Sequence, residues 1–98
     1  MNIVEFFVRA NLRRKIAKRR ETVHDIDERL AALNELISHW KSYHTPDRPN
    51  VFPAYILEDV AKWKSERAVL SVRKPKIEQE ILTLERQLTE EYRKQRSV

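Results

Sequence analysis

The sequence predicts an all-α fold, an antiparallel two-helix coiled-coil hairpin, on three observations. Apolar residues recur at the 3-4 spacing of a helical seam: Ile16, Val23, Leu30 and Ile37 hold one heptad position, and Ile26, Leu33 and Trp40 lie three residues later. The 98 residues include no glycine, which argues against β-hairpin turns, phosphate-cradling loops and nucleotide-binding fingerprints, all of which need positive φ angles. Three of the four prolines, Pro46, Pro49 and Pro53, fall in one short stretch and make the single clear break in the pattern. A charged fraction of 36% with heptad periodicity fits long helices, and 41% apolar residues at regular spacing is too much for a disordered chain.

The expected organisation is one domain spanning residues 1–98, with a first helix over about residues 2–44, a connection over 45–53 and a second helix over about 54–96. Asn2 can cap the first helix, with Glu5 in the capping-box place. The seam extends back through Leu12 and is less apolar at Arg9 and Arg19. This first segment carries a second apolar strip, in which Ile3, Phe7 and Ala10 lie roughly opposite Val8, Leu12 and Ile16, with Phe6 beside them. A helix that is apolar on two sides calls for two neighbours. Closing the open end of a small core is the plain alternative for these residues.

The second helix begins near Pro53 or Ala54, since proline is tolerated in a first turn. Its seam reads Ile56, Val60, Trp63, Arg67, Leu70, Lys74, Ile77, Ile81, Leu84 and Leu88. The frame passes Pro75 without a shift, which predicts a helix kinked at Pro75; a break there into two helices is the alternative.

Two arms of nearly equal length, each about 63 Å, joined by a short connection pack antiparallel. Charge supports this direction. With the turn near Arg48 and Pro49, residues face one another when their numbers add to about 98. Residues 9–20 hold Arg9, Arg13, Arg14, Lys15, Lys18, Arg19 and Arg20 and no acid, opposite Glu78, Glu80, Glu85, Glu90 and Glu91. Residues 21–35 hold Glu21, Asp25, Asp27, Glu28 and Glu35 against the single base Arg29, opposite Lys62, Lys64, Arg67, Arg73, Lys74 and Lys76. Each exposed pair is worth little, but together they set register and direction.

Such a hairpin has a thin core, thickened near the turn by Trp40, Tyr43, Phe52, Tyr55 and Trp63. Small domains are commonly stapled by disulfides, metals or association. With no cysteine in the chain, association is the expected form: a dimer making a helical bundle, or docking on a larger partner.

No catalytic residue, metal ligand or cofactor is expected, and no enzyme. There is no His-Glu-x-x-His, nucleophile elbow or cysteine–histidine set. His39 and His44 are five apart, which does not suit a helix-borne metal pair, and His44 suits a helix C-terminus. Glu58-Asp59, Glu78 with Glu80, and Glu90-Glu91 sit among lysines and read as solvated surface. The expected function is a protein–protein interaction module (an adaptor, accessory or assembly subunit), with Ile3, Phe6, Phe7, Tyr43 and Phe52 as contact residues. The alternative is nucleic-acid binding through Arg13, Arg14, Lys15, Lys18, Arg19 and Arg20, in keeping with a net charge of +5. An anionic membrane reached through Phe6, Phe7 and the following bases is a third reading and not the expected one. No small-molecule substrate is expected. Met1–Leu12 is too short to span a bilayer and lacks a small-residue cleavage site, so a soluble, unprocessed, cytoplasmic protein is expected.

Overall fold

A computed structural model describes residues 3–43 and 52–96, with side chains described to residue 94. These form two helices, α1 over Ile3–Tyr43 and α2 over Ala54–Arg96, and the chain is an all-α helical hairpin. Asn2, His44 and most of the 45–53 connection lie outside the described residues. Pro53 immediately precedes α2, and its carbonyl accepts the N–H groups of Ile56 at 3.0 Å and Leu57 at 3.4 Å. The proline thus serves as the cap whose carbonyl starts the helix, one place before the first-turn position.

α2 continues through Pro75 without interruption, so the second arm is one helix and not two. Pro75 removes one backbone donor, yet the heptad frame on either side is the same, and both flanks are held by the same seam. That seam is where periodicity places it. Leu12, Ile16, Ile26, Leu33 and Ile37 of α1 are buried, as are Val60 and Ile77 of α2. Val23, Leu30 and Trp40, and on α2 Ile56, Trp63, Leu70, Ile81, Leu84 and Leu88, are half-buried. The polar seam positions Arg67 and Lys74 are half-buried too, their stems covering apolar surface while their heads reach out. Thr22, half-buried, and Thr83 and Thr89, exposed, donate their hydroxyls to the carbonyls of Lys18, Gln79 and Glu85, four residues back.

The chain falls into two compact units, one made of Met1–Asp25 with Lys74–Val98, the other of Ile26–Arg73. In the first, Arg13 meets Tyr92, Arg19 meets Glu80 and Arg20 meets Glu85. In the second, Arg29 meets Glu66, Asn34 meets Arg67 and Trp40 meets Lys64 and Phe52. Within each unit, rising numbers on α1 meet generally falling numbers on α2, so the paired segments are antiparallel. Among the described residues no helix is long and apolar enough to cross a membrane.

Candidate functional site

The first candidate surface is the start of α1. The seam at Arg9, Leu12 and Ile16 turns inward, and helical geometry then sends Ile3 and Phe7 to the opposite side. Ile3 is 71% exposed, Phe6 50% and Phe7 63%, with Val4 also exposed between them. Scattered surface apolar residues are ordinary; five in one turn and a half, Ile3 to Val8, form a contiguous patch. Phe6 and Phe7 touch edge to face, with ring centroids 5.7 Å apart. Val4, Phe7, Val8, Ala10, Asn11 and Arg14 line a shallow groove along this side of the helix. Closing a small core is therefore not what Ile3, Phe6 and Phe7 do within one chain.

The second candidate is the basic run, which α2 divides. Arg19 Nε donates to Glu80 Oε2 at 2.9 Å, and Arg20 Nη2 to Glu85 Oε1 at 2.7 Å. Arg13 donates to the Tyr92 hydroxyl at 3.0 Å. Arg14 turns back along its own helix to the Asn11 side-chain oxygen at 3.1 Å. Lys15 and Lys18 are exposed and make no ion pair among the described residues. The carboxylates of α2 thus take up the two bases nearest the seam, while Arg14, Lys15 and Lys18 face outward.

Tyr92 is a residue that periodicity missed. Besides accepting from Arg13, its ring lies under the Arg9 guanidinium, 5.3 Å from the carbon to the centroid. Arg9 is only 4% exposed, and its Nε donates to the Glu5 carbonyl at 3.4 Å. An arginine on a seam is tolerated here because an aromatic face receives its flat cation. The signal available in the sequence was an aromatic on the opposite arm near the register partner of Arg9.

The third candidate is the aromatic group of the second unit. Trp40 is half-buried, with Lys64 5.1 Å over its ring and Phe52 at 6.3 Å between centroids. Phe52 is half-buried against that indole. Tyr43 is exposed and stacks edge to face on His39, with centroids 5.0 Å apart. Tyr55, expected to thicken the core, is 65% exposed; it directly precedes the seam residue Ile56 and lies off the seam.

The same unit holds a two-pronged charge pair across its arms. Arg29 donates from Nε and Nη2 to the two carboxylate oxygens of Glu66, at 2.7 and 2.9 Å. The two-pronged hydrogen bond from Arg29, helped by its charge, holds the Glu66 carboxyl below its ordinary value of 4.5. The same hydrogen bond raises Arg29 above its ordinary range. Among the described residues no cluster of three or more His, Cys, Asp and Glu side chains is arranged to hold a metal ion.

Compared with known proteins, the chain matches no protein-family model, no curated protein and no solved structure.

Proposed function

We propose that this chain is a non-enzymatic protein–protein interaction module whose contact surface is the N-terminal apolar patch of α1. The observation that carries this reading is the exposure of Ile3, Phe6 and Phe7. Two adjacent phenylalanines held in water on a rigid helix lose hydration cost on association without ordering a loop, so they act as anchors. The groove beside Phe7 gives a partner helix a place to lie, and Arg14 at its end suits an acidic side chain on that partner. Replacing Phe6 and Phe7 together with serine abolishes association, followed by light scattering or by capture of the partner, and leaves the helical circular dichroism in place. Unchanged association by the double variant overturns the reading.

A second reading, nucleic-acid binding, draws support from Arg14, Lys15 and Lys18, which face outward from one helix. It loses Arg19 and Arg20 to Glu80 and Glu85, so few phosphates can be contacted and the salt dependence is shallow. Fluorescence anisotropy on labelled duplex DNA and single-stranded RNA distinguishes the two. On this second reading, alanine at Arg14 and Lys18 weakens binding to every sequence alike and lowers the salt slope by about two. No binding at low salt removes it.

A further inference from the structure

We infer that the partner of α1 is a second copy of this chain, laid antiparallel along the outward stripe of the same helix. The inference rests on the interaction reading above and names its occupant. α1 is one continuous helix, so residues spaced alternately three and four apart follow one another along one side. On the side away from the seam the order is apolar, basic, acidic. Phe7 comes first, then Arg14 and Lys18, then Glu21 and Asp25. Arg14, Lys18, Glu21 and Asp25 are all exposed, and none makes an ion pair within the chain among the described residues.

The order of charges is complementary to its own reverse. Two copies of α1, antiparallel with residues facing when their numbers add to about 39, set Arg14 against Asp25 and Lys18 against Glu21. Two-fold symmetry repeats each pair, so the middle of the contact has both signs matched and no like charges opposed. A parallel arrangement sets basic against basic and acidic against acidic, and the charges exclude it.

Charge reversal in two chains tests this. In one variant Arg14→Glu and Lys18→Glu make the stripe acidic throughout; in the other Glu21→Lys and Asp25→Lys make it basic. The contacts of Arg19 with Glu80 and of Arg20 with Glu85 are untouched, and circular dichroism checks that each variant is helical. By native mass spectrometry the unmodified chain is a dimer, each variant alone associates at least about tenfold more weakly, and an equal mixture recovers a mixed dimer of both masses. Variants that self-associate as well as the unmodified chain, or a mixture that does not recover, overturn the antiparallel register. A monomeric unmodified chain overturns self-pairing itself while leaving the interaction reading to its phenylalanine test. If a variant fails to fold, cysteines supply a second measurement, because the chain has none of its own. Lys18→Cys in one chain and Glu21→Cys in another join through a short bis-maleimide, whereas Lys18→Cys and Val69→Cys do not. Equal yields for the two combinations overturn the register.

Discussion

The two units hold their arms together by different means. In the unit of residues 26–73 the lock is apolar: Leu33 and Ile37 of α1 are wholly enclosed, and Val60 of α2 is buried with them. The Arg29–Glu66 ion pair, the Arg67–Asn34 hydrogen bond and Lys64 over the Trp40 ring accompany them. In the unit built from the chain's two ends, Leu12, Ile16 and Ile77 are buried but not sealed, and Arg9 occupies a seam position. There the arms are joined by polar contacts, Arg19 to Glu80, Arg20 to Glu85 and two arginines on Tyr92. A seam of fixed width tolerates polar residues only where other groups receive them. The unit that pays less into its own core is also the one that leaves Phe6 and Phe7 outside it.

The sharpest way to break this comparison is to empty the same volume in each unit. Leu33→Ala removes a side chain with no exposure at all, so it costs about 3–5 kcal/mol, toward the upper end for a buried leucine. Leu12→Ala, at the half-open end, costs about 2 kcal/mol, because water and neighbouring stems can occupy part of the space. Urea denaturation followed by circular dichroism measures both. Equal losses would show that the two cores are equally tight and that the polar contacts of the terminal unit are incidental.

Much of this was legible in the sequence, and the reason is physical. A heptad pattern states which side of each helix is covered, and every seam residue read from it, from Leu12 to Leu88, is buried or half-buried. Direction was legible because charges on two arms match in one orientation only, and Arg19–Glu80 and Arg20–Glu85 realise that match. Tyr92 was legible only through the register of the two arms, which sets it near Arg9, since no spacing along one helix encodes a guanidinium arriving from the far arm. The exposure of Tyr55 was not legible for a similar reason: aromatic content near a turn does not say which ring faces the seam. The outward patch of Ile3, Phe6 and Phe7 was legible as a second strip, because two apolar sides on one helix are visible in its periodicity alone.

The smallest effect concerns the pair that runs against the charge pattern. Residues 21–35 hold one base, Arg29, and residues 62–76 hold one acid, Glu66. These two exceptions find each other, with both guanidinium prongs engaged. An inverted pair inside a field of opposite polarity works as a register mark, since sliding either arm sets Arg29 among lysines and Glu66 among acids. Arg29→Glu alone and Glu66→Arg alone each lower the melting temperature by a small amount, and the two together restore it. A double variant no better than the worse single one removes the register role. The pH dependence follows the same contact. Because the folded state holds the Glu66 carboxyl below 4.5, its contribution is complete above the unfolded value and disappears as pH falls through the depressed folded value. The stability difference between the natural chain and Glu66→Gln is therefore constant near neutrality and closes in acid. A difference that stays open after Glu66 has taken up its proton would mean that the glutamate acts through packing and not through its charge.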